Sequence, residues 1–237
     1  MIYVTGDIHG DRERLSKNEL SMLEANDTLI VCGDFGFVWN DDKKENQFLN
    51  SIEKRKYNIC FIDGTHENFD LLNNAPVVIW KGGRAHKIRD NVFHLMRGQI
   101  YDIDGKKVFT MGGGEDPELD LQENDDLTLR KEIPTAQEML TGVTNIEKQG
   151  YKIDYIFTHE PPSKIRDFML LSENKTLRVT ALGAYLDELS QQCDYKKWYF
   201  GSMHTDKFIS DSHISLFKNI VCTEERPLKK KLFIKRK

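Results

Sequence analysis

Short apolar runs rich in β-branched residues alternate along this chain with longer stretches of helical period. The first runs lie at Ile2–Thr5, Thr28–Cys32 and 57–62, and the intervening stretches at 11–24 and 46–56 predict helices. This order is typical of parallel strands joined by right-handed crossover helices. The predicted fold class is therefore α/β.

From residue 77 onward the chain has a different pattern. Closely spaced strands are predicted at 77–80, 92–96, 99–103 and 107–111, and Asp104-Gly105 predicts a two-residue hairpin. They are followed by a helix at 135–149, a strand at 153–158, a helix at 181–192 and strands at 197–200 and 214–217. Without an internal repeat or a Gly/Ser linker, this order predicts one domain of two packed sheets over residues 1–225, followed by a basic tail over 226–237.

Composition excludes several classes of protein. With 237 residues, of which 39% are hydrophobic, the chain is long enough for one large core. Its apolar runs are strand-length, so no membrane span is expected. Four scattered cysteines and the lack of a basic segment before an apolar stretch at the start predict a reduced, cytoplasmic protein.

Charge is distributed unevenly. The net charge of −4 provides no basic field for nucleic acid, which argues against a nuclease. Seven acids fall within 115–126 and seven bases within 226–237. Both stretches are interpreted as solvated segments, although the tail could bind RNA or an anionic surface weakly.

Five short segments share one arrangement, in which an apolar strand ends and metal-ligating residue types follow at once, usually beside glycine. In an α/β fold the carboxyl ends of parallel strands meet at one edge, so such segments converge. One segment alone is weak evidence, but five in this order predict a common site. They are Gly6-Asp7-Ile8-His9-Gly10, Gly33-Asp34-Phe35-Gly36, Gly64-Thr65-His66-Glu67-Asn68, Thr158-His159-Glu160-Pro161-Pro162 and Gly201-Ser202-Met203-His204.

This series resembles the calcineurin-like metallophosphoesterase superfamily, whose pattern is Asp-x-His, Gly-Asp, Gly-Asn-His-Glu/Asp, a later His and Gly-His-x-His. The resemblance extends from Asp7 to His204 and implies a four-layer α/β/β/α sandwich of two mixed sheets with two metal ions at the strand ends. It implies a second-site ligand at His159 and a proton donor to the leaving group at His66. The first-site ligands that it implies, with Asp34 as the bridge between the ions, are Asp7, His9, Asp34 and His204.

Two positions depart from the family pattern. Thr65 replaces the asparagine of Gly-Asn-His-Glu, and Ser202 replaces the first histidine of Gly-His-x-His. Both missing residues belong to the second metal, and neutral hydroxyls are poorer ligands for Mn²⁺, Fe or Zn²⁺ than an amide carbonyl or an imidazole. Thr65 and Ser202 are thus weak candidate ligands, and one tight ion with one weak ion, or none, is expected at the two sites.

The resulting functional hypothesis is hydrolysis of a phosphomonoester or phosphodiester by metal-activated water, with Mn²⁺ as the expected cofactor and Fe or Zn²⁺ as alternatives. The rival hypothesis is a catalytically weakened relative that binds phosphate or a nucleotide in a regulatory role. Thr65 and Ser202 favour the rival, whereas His66 and the complete first site favour the enzyme.

Several further residues have alternative interpretations. Glu160 could supply a carboxylate to the second site, but a solvent-facing loop position is favoured. Asp11 and Asp206 could orient His9 or His204, or could belong to an ordinary helix start or turn. The three histidines outside the motif turns are interpreted as structural; they are His86, His94 and His213.

Overall fold

The structure of the protein is a computed structural model that describes residues 1–16, 18–115, 130–171 and 177–224. One seven-stranded sheet has the order β13-β1-β2-β3-β6-β5-β4. Its strands are β1 (Ile2–Thr5), β2 (Thr28–Cys32), β3 (Asn58–Ile62), β4 (Val77–Trp80), β5 (Gly83–Arg89), β6 (Val92–Leu95) and β13 (Val221–Cys222).

The other sheet has six strands in the order β11-β12-β10-β9-β8-β7. Its strands are β7 (Gln99–Ile103), β8 (Lys106–Met111), β9 (Lys152–Thr158), β10 (Asp194–Phe200), β11 (Lys207–Phe208) and β12 (His213–Ser215). Both sheets are mixed. The strands β1, β2, β3 and β6 run parallel in the first sheet, and β8, β9, β10 and β12 run parallel in the second. Antiparallel strands flank each parallel group.

Helices cover the outer face of each sheet. Two short 3-10 helices (Arg12–Ser16 and Asn18–Met22), α1 (Lys43–Ile52) and α2 (Phe69–Asn74) contribute to the outer side of the first sheet. The other sheet is covered by α3 (Ala136–Lys148), α4 (Ser163–Leu170) and α5 (Ala181–Gln192). The result is the predicted four-layer α/β/β/α sandwich.

The alternation of side chains along β2 shows how the layers are held. Ile30 and Cys32 belong to the core between the two sheets, together with Phe157 and Tyr199 of the second sheet. Leu29, between Thr28 and Ile30, points to the opposite face and packs in the hydrophobic cluster between this sheet and its outer helices. A strand buried on both faces must be apolar at every position, which is why β2 reads as a continuous hydrophobic run.

The predicted helix over 11–24 is wrong. The segment forms two 3-10 helices, although Leu15, Leu20 and Leu23 are buried as expected. Arg14 is drawn inward beside Leu15, and its guanidinium donates to the carbonyl of Asp7 at 2.9 Å. Neighbouring residues that both turn inward do not fit the single buried stripe of an amphipathic α-helix.

The other differences are omissions and shifted ends. The helix predicted at 46–56 is α1, which begins earlier because Asp42 caps it by accepting from the backbone N–H of Glu45. The two-residue hairpin at Asp104-Gly105 is confirmed, with φ of 55° and 72°. Not predicted were α2, α4, β5, β11 and β13.

Candidate metal centre

All five predicted turns lie at one edge of the sandwich. Three follow β1, β2 and β3 of the first sheet, and two follow β9 and β10 of the second. Backbone hydrogen bonds fix the turns to one another. His9 N–H donates to the carbonyl of Asp34 at 2.7 Å, and Ser202 N–H donates to the carbonyl of His159 at 3.0 Å.

Glycine is required where these turns touch. A Cβ on Gly33, whose φ is +99°, would lie 1.9 Å from Nδ1 of His159. A Cβ on Gly201 would lie 2.2 Å from Oδ1 of Asp7. No side chain fits in either place, so these glycines let the two sheets bring their polar residues into contact.

The four predicted first-site ligands are brought together. His204 Nε2 lies 3.0 Å from Asp7 Oδ2 and 3.2 Å from His9 Nε2. His9 Nε2 lies 3.5 Å from Asp34 Oδ2 and 3.9 Å from Asp7 Oδ2. Asp7, His9 and His204 each offer one ligand atom within 4.8 Å of the others. Imidazole nitrogens and carboxylate oxygens at this spacing form a mixed shell that suits Mn²⁺, Fe or Zn²⁺.

A second group of ligand atoms within 4.8 Å of one another comprises Asp7, Asp34 and His159, and all three residues are buried. Oδ1 of Asp7 is buried without a hydrogen bond to any described residue, although His159 Nδ1 lies 3.4 Å away. Such an orphaned carboxylate oxygen calls for a cation, because burying an uncompensated charge is costly.

The pKa values of Asp7 and His159 also indicate that this site requires positive charge. Burial opposes protonation of His159, but attraction to Asp7 and Asp34 outweighs it and raises the pKa of His159 to about 10. Burial also disfavours the charged form of Asp7, yet His159 and His204 hold its pKa well below the usual range. Without another cation, the His159 imidazolium supplies the positive charge that these carboxylates need.

The remaining predicted residues line the same cavity, which has a volume of about 400 Å³. Thr65 and Ser202 are half-buried in its wall, and Thr65 Oγ1 lies 3.0 Å from His66 Nδ1. His66 N–H donates to Asp34 Oδ1 at 2.7 Å, and His66 Nδ1 lies 3.2 Å from Asp34 Oδ2. The His66 side chain is 71% exposed, which leaves it accessible to a ligand in the cavity.

His66 also forms a third possible ligand group with His9 and Asp34. The geometry is therefore compatible with either a proton donor or a further metal ligand at this position.

The sequence profile of calcineurin-like phosphoesterases matches residues 1–221. The chain belongs to this family. Members depend on divalent metal ions and act on phosphate esters, and the three groups of ligand atoms fit that requirement. A search of curated proteins found no match.

Two buried residues support this site through hydrogen bonds, although no sequence pattern assigns them a role. Buried Glu67 accepts a hydrogen bond from Phe35 N–H at 2.7 Å and so holds the turn that carries Asp34. Burial raises the pKa of Glu67 well above the usual range. Buried Arg14 holds the carbonyl of Asp7. Glu67 lies inside one of the predicted motifs, which is the one sequence signal for its position. Arg14 lies in the segment 11–24, for which the sequence wrongly predicts an amphipathic α-helix.

Two further residues of the cavity wall carry no signal in the sequence. Half-buried Arg130 and Glu132 line the cavity, and Arg130 Nε donates to Glu132 Oε1 at 2.6 Å. The prediction that Glu160 faces the solvent is wrong. Glu160 lines the cavity and accepts a hydrogen bond from Glu115 N–H at 2.8 Å. Burial raises the pKa of Glu160 to about 7.

Asp11, Asp206 and the histidines outside the motif turns lie outside the groups of possible metal ligands. Asp11 accepts from Glu13 N–H at the start of the first 3-10 helix. Asp206 accepts from the backbone N–H groups of the turn at 217–219. His86, His94 and His213 lie outside the metal-ligand groups.

Three of the predicted ligands adopt the left-handed backbone conformation, with φ of 50° at His9, 43° at Asp34 and 45° at His204. This conformation costs roughly 1 to 2 kcal/mol per residue for side chains other than glycine. Strain of this kind concentrates at functional sites, where surrounding contacts enforce it.

No helix among the described residues is long and apolar enough to cross a membrane. Most of the acidic stretch, from 116 onward, and the basic tail lie outside the described residues.

Proposed function

We propose that this protein is an active metallophosphoesterase that hydrolyses a phosphomonoester or phosphodiester. The observation that supports the proposal most strongly is the sharing of ligands between groups. Asp7, His9 and Asp34 each belong to two of the three groups of ligand atoms, so adjacent ions could share a carboxylate in a cavity large enough for a phosphoryl group. The proposed setting is cytoplasmic, on the ground that all four cysteines are free, and the proposed domain spans residues 1–225.

The residues proposed to hold the first ion are Asp7, His9, Asp34 and His204, and Mn²⁺ is the expected metal. Bound divalent ions would supply a lowered pKa for water and positive charge for the phosphoryl oxygens. The chain itself supplies orientation and a proton. With Nδ1 of His66 held against Asp34, a protonated His66 presents Nε2–H to the cavity and can protonate the leaving oxygen, an effect worth roughly 10²- to 10⁴-fold.

We further propose one tight and one weak ion. The second site retains Asp34 and His159, but Thr65 and Ser202 offer only hydroxyls. We expect fewer Mn²⁺ ions per chain after dialysis without phosphate than with it, as measured by elemental analysis. The same count under both conditions would contradict this proposal.

The central test is turnover of p-nitrophenyl phosphate and bis-p-nitrophenyl phosphate with Mn²⁺. Asp34→Asn should abolish activity, because Asp34 belongs to two ligand groups. The matched control is Asp102→Asn, which makes the same change at an exposed carboxylate of the β7–β8 hairpin. Equal turnover in both variants would exclude the proposed site.

The second candidate is a regulatory protein that binds phosphate or a nucleotide without turnover. The replacement of two second-site ligands by Thr65 and Ser202 favours it. If the wild-type chain binds Mn²⁺ and phosphate but its turnover does not exceed that of Asp34→Asn, this candidate replaces the enzyme.

A further inference from the structure

Arg130 lies in the wall of the metal cavity, where it is the one lysine or arginine among the described lining residues. The same wall carries the carboxylates of Asp7, Asp34, Glu132 and Glu160. A guanidinium keeps its charge throughout the pH range in which proteins fold, whereas the charge of an imidazole depends on pH. Arg130 is therefore the one permanent cation that the described lining residues offer to an anion in this cavity.

Buried contacts hold the segment 130–132 in place. Arg97, which is 9% exposed, donates from Nη2 to the carbonyl oxygens of Lys131 at 2.9 Å and Glu132 at 3.1 Å. Arg97 Nε also donates at 2.8 Å to Asp63, which directly follows β3. A buried ion pair therefore ties this segment to the edge of the first sheet at which the proposed metal ligands converge.

Gly114 places the segment 130–132 beside the proposed second metal site. Its N–H donates to the carbonyl of Glu132 at 3.0 Å. A Cβ on Gly114 would lie 2.6 Å from Cγ2 of Thr65 and 2.7 Å from Oε1 of Glu160, so the glycine packs directly against both residues. The segment thus adjoins one of the two positions at which a second-site ligand is replaced.

The guanidinium of Arg130 is held along one edge. Its Nε donates to Glu132 Oε1 at 2.6 Å, and its Nη1 and Nη2 groups form no hydrogen bond with the residues that the structure describes. Four of the five N–H donors of the side chain therefore remain for a ligand. Paired guanidinium N–H groups match two oxygens of a phosphoryl group, and Glu132 acts as a positioning residue for them.

We propose that Arg130 binds the nonbridging oxygens of the substrate's phosphoryl group and supplies part of the positive charge that the weak second ion does not. This inference rests on the proposed phosphoesterase function and names a substrate-binding residue for it. Thr65 and Ser202 weaken the hold on the second ion, whereas a guanidinium needs no ligands and does not exchange with solvent. The phosphoryl group would then lie between the first ion and Arg130.

The test is binding of inorganic phosphate to the Mn²⁺-loaded full chain, measured by titration calorimetry, so that it does not depend on turnover. Arg130→Gln should weaken phosphate binding by roughly 10- to 100-fold, the scale of hydrogen bonds to a charged group. Arg130→Lys keeps the charge but not the paired donors, and should lose less. Thermal unfolding and elemental analysis of both variants show whether the fold and the first ion are retained.

The matched control is Arg84→Gln. It makes the same change at an exposed side chain of β5 that does not line the metal cavity. Arg84→Gln should bind phosphate like the wild type. Equal affinities of Arg130→Gln and Arg84→Gln would overturn the proposal.

The link between Arg130 and the weak second ion has a test of its own. Thr65→Asn combined with Ser202→His restores the ligand types of the family pattern and should raise the Mn²⁺ content per chain. Arg130→Gln should then weaken phosphate binding less in this background than in the wild type, because the second ion supplies the missing charge. The same loss in both backgrounds would overturn the role of Arg130 as a replacement for the ion.

Turnover separates this inference from the proposed function. If wild-type phosphate binding depends on Arg130 but p-nitrophenyl phosphate is not hydrolysed, the phosphoesterase activity fails and the binding role of Arg130 stands. If the wild type hydrolyses the substrate and Arg130→Gln neither lowers kcat/KM nor weakens phosphate binding, this inference fails alone.

Discussion

Replacing Asp63 by asparagine should destabilise the fold more than any surface substitution. The carboxylate is 1% exposed and accepts from Arg97 through Nε at 2.8 Å and Nη2 at 2.6 Å. Removing one partner of a buried ion pair costs about 3 to 5 kcal/mol. Arg97 keeps Glu138 and three backbone carbonyls, so we expect the lower end, about 3 kcal/mol. In a chain of this size that corresponds to a fall in Tm of roughly 6 to 12 °C.

Urea unfolding of the metal-free protein measures this loss without a contribution from metal binding. Asp102→Asn, at an exposed carboxylate, should change the unfolding free energy by less than about 0.5 kcal/mol. Although burial opposes ionisation of Asp63, attraction to Arg97 and the bond to His94 hold its pKa well below the usual range.

Because the pKa of Asp63 is lower in the folded state, its ionised carboxylate stabilises the fold above the unfolded-state pKa near 4. This stabilisation is lost as the pH falls toward the folded-state pKa of Asp63. Asp63→Asn should lack that part of the acid destabilisation. A loss below about 1 kcal/mol at neutral pH would refute the reasoning, because it would mean that the buried pair contributes no more than an exposed one.

His66→Asn should lower kcat for an alkyl phosphate by roughly 10²- to 10⁴-fold. The effect on p-nitrophenyl phosphate should be smaller, because its leaving group needs no proton. Equal losses of kcat on both substrates would exclude His66 as a proton donor. Gly33→Ala should reduce the amount of bound Mn²⁺ and lower the Tm, because the new Cβ would lie 1.9 Å from His159 Nδ1. An unchanged metal content in elemental analysis would contradict this expectation. Between pH 6.5 and about 4 the unfolding free energy should fall as the pH falls, because the folded state keeps His86 neutral with a pKa of about 4. That contribution, up to about 3 kcal/mol, should be absent in His86→Gln when urea unfolding is followed across this range.

Elements with a clear period were predictable from the sequence. β7 and α5 have the predicted bounds, Gln99–Ile103 and Ala181–Gln192, because each carries an unbroken strand or helix pattern. β5 was not predicted, because its sequence is largely polar: it buries Ala85 and His86 but exposes Arg84 and Lys87. Its strand structure comes from antiparallel pairing with β4 and β6 on either side, which local sequence does not reveal.

The candidate ligands were predictable for a different reason. Each lies in a turn that directly follows an apolar strand, usually one that contains glycine, so their convergence required only that parallel strands end at one edge. Arg130 and Glu132 had no such signal, because they lie in an irregular segment that packs against the cavity only through the tertiary fold. The contacts that bury His86 involve His94 and, through it, Asp63; Asp63 is distant in sequence, and no local pattern encodes these contacts.

The backbone at the metal centre bears on the choice between an enzyme and a weakened relative. His9, Asp34 and His204 keep the left-handed conformation, at roughly 1 kcal/mol or more each, although glycine would adopt it without that cost. Thr65 and Ser202, the replaced positions, do not adopt it. In the three ligands, backbone hydrogen bonds within and between the turns enforce this conformation and bring carboxylate and imidazole groups close together. The proposed first site therefore has both suitable ligand types and a backbone that its surroundings hold in place, whereas the two replaced residues belong to the proposed second site.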